Sequence, residues 1–135
     1  MSEDIRWKQH FNNLQLAYAR LRQAVSANAD RPDDNLIQLA LIKAFEMTFV
    51  LAWKTMKDYI KFNGIDVKLP REIIKQAYAN DIIIDGQMWI DMLENCNVMA
   101  HVYDEARARE TVCRICQSYM SALEQLHDFL MEKAS

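Results

Sequence analysis

Four polar residues lie close together where an apolar helical segment ends: Asn97, His101, Tyr103 and Asp104. Asn97 and His101 share a face of a helix because they are four residues apart. A histidine can act as a general acid or base near neutral pH, although a hydrogen bond to Asp104 or Asn97 is its commoner role. Tyr103 offers its hydroxyl group either to solvent, at the end of a core tyrosine, or to a partner molecule. The segment 96–104 is therefore the first candidate for a functional site.

Glu46 is a second unusual polar residue, because its neighbours on the predicted helix are apolar: Ile42, Phe49, Val50 and Trp53. Its carboxylate is therefore predicted to lie in or beside a buried seam, where an unpaired charge would be costly. Two interpretations follow. Glu46 forms a salt bridge, for example with Lys43, or it orients another group in a site.

Metal and redox chemistry have weak support in the sequence. Cys113 and Cys116 have CxxC spacing, but both fall well inside a predicted helix, and no second pair of ligands completes a zinc site. We interpret Cys116 as a core residue and Cys113 as incidental. The three histidines are scattered, and no glycine-rich phosphate loop or nucleophile elbow occurs. We expect no metal and no cofactor.

Composition favours long helices, since the 135 residues include only two glycines and two prolines. The net charge of -3 argues against broad electrostatic capture of nucleic acid, but it is compatible with a local basic groove. No basic segment followed by an apolar one begins the chain, and charged residues, among them Lys43, Glu46, Lys54 and Asp58, interrupt the apolar region 36–60. A cytoplasmic protein without a membrane anchor is expected.

Apolar residues recur at three- and four-residue steps, which predicts an all-α, up-and-down helical bundle of about five helices, four long or medium and one short, in a single domain, 1–135. The predicted helices are 4–27, 35–62, 70–80, one starting at 85–86, and 106–133. Residues 28–34 form a polar linker in which Asp33 or Asp34 caps the next helix. The second helix is apolar nearly all round, so it lies at the bundle centre or is covered by a second subunit.

Several blocks of sequence, in order along the chain, resemble those of one family. They are Arg6–Gln9, Phe45–Tyr59, Pro70–Ile74 with Trp89–Glu94, and Ala100–Glu105. The family is the nucleotidyltransferase substrate-binding proteins, part of the HEPN superfamily of helical bundles. The resemblance spans nearly the whole chain and implies a small helical homodimer that works beside a separately encoded minimal nucleotidyltransferase. The chain lacks the Gly-Ser and Asp-x-Asp elements of that enzyme, so it is not the nucleotidyltransferase itself.

The resemblance also implies a toxin–antitoxin module, because many pairs of this kind look like one. In such a module the HEPN protein is a metal-independent ribonuclease, and the nucleotidyltransferase silences it by transferring AMP to a tyrosine. The family motif is arginine, four residues, histidine, one residue, tyrosine. It aligns His101 with the histidine, Tyr103 with the modified tyrosine and Asn97 with the polar residue after the arginine, whereas Cys96 stands where the arginine would be.

This departure separates two functions. A ribonuclease without a metal needs a fixed cation for the charge that develops on the phosphate, and a thiol cannot supply one. We therefore favour a non-catalytic partner that binds a substrate, a nucleotide or an RNA, or is itself modified by AMP at Tyr103. The alternative is a weakened endoribonuclease with His101 as acid or base, assisted by Asn97. The predicted cleft combines the candidate residues Glu46, Cys96, Asn97, His101, Tyr103 and Asp104.

Overall fold

The computed structural model describes residues 2–99 and 104–135, without the side chains of Val98 and Met99, and every regular element in these ranges is helical. The elements are α1 Glu3–Asp30, α2 Asn35–Phe62, α3 Pro70–Ala79, α4 Gly86–Met99, α5 Glu105–Arg114 and α6 Met120–Ala134. A π-helical segment, Ile115–Tyr119, joins α5 to α6, so that the two continue each other as the fifth predicted helix. The predicted all-α bundle is confirmed.

The first helix extends three residues beyond its predicted end at Ala27. The helical hydrogen bonding continues through Asn28, Ala29 and Asp30, and the amide of Arg31 still donates to the carbonyl of Ala27 at 3.0 Å. The helix ends at Arg31 because the residue before a proline is disfavoured in the helical region. Asp34 then caps α2, accepting hydrogen bonds from the amides of residues 36 and 37 at 3.0 and 3.2 Å, as predicted.

The core forms around α2, whose predicted inner row is fully buried: Leu41, Phe45, Phe49, Ala52, Met56 and Ile60. The predicted stripe of α1 is buried from Trp7 to Leu21, while Val25 is only partly buried. On the fifth helix the prediction for Cys116 was wrong in part. Cys116 is half-buried, and Ile115 takes the fully buried position where the helix widens into the π-helical segment.

Three contacts fix the directions of the helices. The side chains of Asn35 and Glu105 are 2.8 Å apart, and the Tyr59 and Phe129 rings meet at 5.8 Å, so α2 and α5–α6 run parallel. The Trp7 ring contacts Tyr59 at 5.0 Å, so α1 runs antiparallel to α2. The start of α5 consequently lies beside the start of α2, and the C-terminal end of α6 lies beside the end of α2.

By length and composition alone, α2 could cross a membrane, with a mean hydropathy of 1.6 over its most apolar 18-residue window. The expectation that its charged residues exclude a span is therefore too strong. A core helix satisfies the same criterion, and the buried row of α2 packs in the bundle. Only 39% of that window is buried, and the exposed large apolar side chains of α2 include Leu36, Leu39 and Met47.

Candidate functional site

The predicted site residues lie at the end of α4 and the start of α5. Cys96 is half-buried and Asn97 is exposed in the last two turns of α4, and Asp104 is the exposed N-cap of α5. His101 and Tyr103 lie outside the described residues, as does the predicted core residue Ala100. The Asp104 carboxylate accepts a hydrogen bond from the amide of Ala106 at 2.8 Å. Among the described residues, Asp104 therefore serves as the N-cap of α5.

Glu46 of α2 lies near enough to Cys96 of α4 for its charge to act on the thiol. Burial raises the pKa of the Cys96 thiol from 9.0 to about 11, and the Glu46 carboxylate adds to this shift because a thiolate would be repelled by it. The thiol is therefore protonated and neutral at pH 7. The interpretation that Glu46 orients another group of the site stays a prediction.

Glu46 also forms the predicted salt bridge. The Nζ atom of Lys43 is 3.8 Å from Oε2 of Glu46, whose side chain is 19% exposed, whereas that of Lys43 is 71% exposed. Because the lysine is largely in solvent, the pair adds little to stability. Glu46 retains a negative potential toward Cys96, since its charge still contributes to the raised thiol pKa.

Sequence reasoning missed the contact that holds the last turns of α4. The side-chain amide of Asn95 donates a hydrogen bond to the hydroxyl of Tyr119, a buried residue of the π-helical segment. The Tyr119 ring in turn stacks on Phe45 of α2, with ring centres 5.3 Å apart. These contacts tie α4, the π-helical segment and α2 together next to Cys96. Tyr119 was predicted to be buried, but no sequence signal pairs it with Asn95.

A second tie holds α4 from outside. Arg71 of α3 donates a hydrogen bond to the Glu94 carboxylate at 3.1 Å, with both side chains exposed. Because both side chains are exposed, this pair adds little, and Asn95 is the main described tie of the helical turn that carries Cys96 and Asn97.

The described part of the site has no cation at the position of the motif arginine. Arg107 and Arg109 are exposed on α5, and neither forms an ion pair with a described carboxylate. What remains near Cys96 is a neutral thiol and the carboxylate of Glu46. This arrangement can receive a neutral or cationic group more readily than a phosphate.

No metal site is present among the described residues, since no group of three or more histidine, cysteine or acidic side chains comes together there. Cys113 is exposed and Cys116 half-buried, and both are free thiols. The expectation that the protein uses no metal or cofactor stays a prediction.

Known proteins resemble this chain over most of its length. The sequence profile of the family described as "Nucleotidyltransferase substrate binding protein like" matches residues 9–132. The probable ribonuclease HepT of Haemophilus influenzae is 28% identical, over 94% of this chain and 88% of that protein. The fold is that of HI0074 of Haemophilus influenzae, whose structure was described as the fold of a substrate binding domain of a nucleotidyltransferase. The TM-score is 0.79 at 22% identity, over 90% of this chain and 98% of HI0074. The family that the ordered sequence blocks resemble is therefore confirmed, and this chain belongs to the nucleotidyltransferase substrate-binding proteins.

Proposed function

We propose that this chain is a non-catalytic, dimeric partner of a separately encoded minimal nucleotidyltransferase in a cytoplasmic module of the toxin–antitoxin type. The α4–α5 junction is presented to the enzyme, and Tyr103 accepts AMP. In that reaction the tyrosine oxygen attacks the α-phosphorus of ATP, a new O–P bond forms, pyrophosphate leaves, and the hydroxyl proton passes to a base of the nucleotidyltransferase.

The observation that carries this proposal is the neutral thiol of Cys96 beside Glu46. A ribonuclease site must stabilise negative charge on the reacting phosphate, and removal of one such donor costs about two to three orders of magnitude in rate. Here the position of the motif arginine carries no charge, and the described charge that acts on it, that of Glu46, is negative. Electrostatics therefore favour a partner protein over a nuclease.

The alternative function is a weak ribonuclease with His101 as acid or base and Asn97 assisting it. The similarity to a protein named as a probable ribonuclease favours it. In that case a cation would have to reach the phosphate from Arg107, Arg109 or a second subunit. The two functions make opposite predictions for RNA cleavage by the unmodified chain.

Dimerisation is proposed from the uncovered face of α2. We define the α2 face as Leu36, Lys43, Met47 and Val50, which lie within one helical stripe because they are separated by about whole numbers of turns. Leu36 is 78% exposed and Met47 is 50% exposed. Exposed large apolar side chains such as these two mark a surface that associates with another protein. A second copy of the same chain covers such a face symmetrically.

Met47→Asp is expected to weaken the dimer by roughly 30-fold in Kd, because an unpaired carboxylate would be desolvated at the centre of the interface. Met131→Asp is the matched control, since Met131 is 42% exposed but lies on α6. Size-exclusion chromatography with light scattering measures both. The same experiment with an added minimal nucleotidyltransferase should yield a heavier complex.

A monomeric unmodified chain at micromolar concentration would contradict the dimer. Equal weakening by the α6 control would show that the α2 face is not specific. If no complex forms with the nucleotidyltransferase, the proposed partner is wrong.

A further inference from the structure

A cavity of about 340 Å³ lies at the ends of α2 and α3, remote from the start of α5. It is lined by Tyr59, Phe129, Lys133 and the turn after α3. Along α2, this end lies about 24 Å from Glu46 at the helical rise of about 1.5 Å per residue. The cavity is therefore distinct from the candidate site.

Two helices end at this cavity in the same way. After α2, the amide of Ile65 donates to the carbonyl of Ile60 at 3.1 Å, and that of Gly64 donates to Lys61 at 3.0 Å. After α3, the amide of Ile82 donates to Ala77 at 2.9 Å, and that of Asp81 donates to Tyr78 at 3.2 Å. Both are Schellman motifs, in which one residue takes a left-handed conformation.

The two motifs differ in the residue at that position. Gly64 occupies it after α2 with a φ of 96°, whereas Asp81 occupies it after α3 with a φ of 60°. Glycine adopts this conformation without strain, and an aspartate adopts it at some cost. The carboxylate of Asp81, which lines the cavity, forms no ion pair with any described residue. It can therefore pair with a charged ligand there.

The rest of the lining favours a positive charge. The Asn63 and Asn80 side-chain amides each donate to a backbone carbonyl of their own helix at 2.8 Å, which leaves their oxygens as acceptors. The C-terminal ends of α2 and α3 add the negative ends of two helix dipoles. The Tyr59 and Phe129 rings lie 5.8 Å apart at 89°, and aromatic rings attract cations at their faces.

A cation of the protein already occupies one ring face. The Nζ atom of Lys133 lies 5.5 Å from the centre of the ring of Phe129, which is one turn earlier on the same face of α6. Lys133 is exposed and lies on a flexible stem, so a ligand can displace it into solvent. It marks where a bound ammonium group would lie.

We propose that this cavity binds a small organic ammonium ion of the choline type, held by the Phe129 and Tyr59 rings and by the Asp81 carboxylate. Such an ion carries a positive charge, which suits the carboxylate, and apolar methyl groups, which suit the two rings. This site is independent of the proposed partnership with a nucleotidyltransferase.

Choline and its neutral isostere 3,3-dimethyl-1-butanol test the charge requirement in an NMR titration of the whole chain. Choline should shift the amide signals of Asn80, Asp81 and Ile82 saturably, with a dissociation constant on the order of millimolar. The neutral isostere should bind at least about fivefold more weakly. Equal binding of the two probes, or no saturable shift with choline, would overturn the proposal.

Variants at the cavity separate binding from folding. Asp81→Asn should lower choline affinity by about tenfold, because it removes the charge and keeps the shape. Asp30→Asn is the matched control, since Asp30 is an exposed acid at the end of α1. Asp81→Gly should also lose binding while its Tm rises by about 2 °C, since glycine relieves the strain.

Lys133→Met should strengthen choline binding several-fold, because it removes a competing cation while Phe129 stays in place. Unchanged affinity in Asp81→Asn, or weaker binding in Lys133→Met, would overturn the assignment of these residues.

Discussion

Cys96→Arg is expected to raise RNA cleavage by this chain by about two to three orders of magnitude. The substitution places a guanidinium at the position of the motif arginine, where the unmodified chain has a neutral thiol whose pKa is raised to about 11. The Glu46 carboxylate helps to raise the pKa of that thiol, so its negative charge would favour a cation at the same position. Cleavage of a fluorogenic single-stranded RNA under single-turnover conditions measures the effect.

Cys113→Arg is the matched control for this experiment. Cys113 is exposed on α5, so the variant gains the same charge away from Glu46 and should remain as inactive as the unmodified chain. A third variant, Cys96→Arg with His101→Ala, should lose the gained activity if His101 is the acid or base. An inert but folded Cys96→Arg protein would show that the rest of the site cannot cleave RNA. Strong cleavage by the unmodified chain would contradict the non-catalytic function.

Alkylation of Cys96 by iodoacetamide is expected to be about 100-fold slower at pH 7.5 than that of a thiol with an ordinary pKa, because only the thiolate reacts. Burial is the main cause of its raised pKa and Glu46 the second. The thiolate fraction of a group with this pKa reaches one half only near pH 11. The alkylation rate of Cys96 should therefore still rise with pH where that of an ordinary thiol has levelled off. Peptide mass spectrometry after timed quenching measures the rate at each cysteine separately.

Cys113 serves as the exposed reference within the same molecule. Glu46→Gln should speed alkylation of Cys96 and leave Cys113 unaffected, because it removes the negative charge beside one thiol only. Burial remains in that variant, so Cys96 should still react more slowly than Cys113. If Glu46→Gln leaves the Cys96 rate unchanged, the two side chains do not interact as described.

Local patterns made much of the fold predictable. The 3.6-residue period of apolar side chains identified the inner row of α2, and an acid before an apolar run predicted Asp33 or Asp34 as the cap, of which Asp34 is the one observed. The end of α1 was predicted three residues early because polar composition is a weaker signal than Pro32, which sets the actual end.

Contacts between distant parts of the chain were less accessible. The apolar neighbours of Glu46 predicted its partial burial and its pairing with Lys43, but fifty residues separate it from Cys96, and periodicity does not indicate which helices meet. The hydrogen bond from Asn95 to Tyr119 depends on the π-helical segment, which leaves no mark in the apolar pattern. The assignments of His101 and Tyr103 rest on the resemblance to the family and remain predictions.

The most direct test of the proposed function is intact-mass spectrometry after incubation with a minimal nucleotidyltransferase from the same genome and ATP. The unmodified chain should gain the mass of one adenylyl group, and Tyr103→Phe should gain none, since it lacks the accepting oxygen. Tyr78→Phe is the matched control, because Tyr78 is 56% exposed on α3 and should leave the modification intact. An adenylyl group that persists in Tyr103→Phe would contradict the assignment of the tyrosine, and no mass change in any variant would contradict the proposal that this chain is modified by its partner.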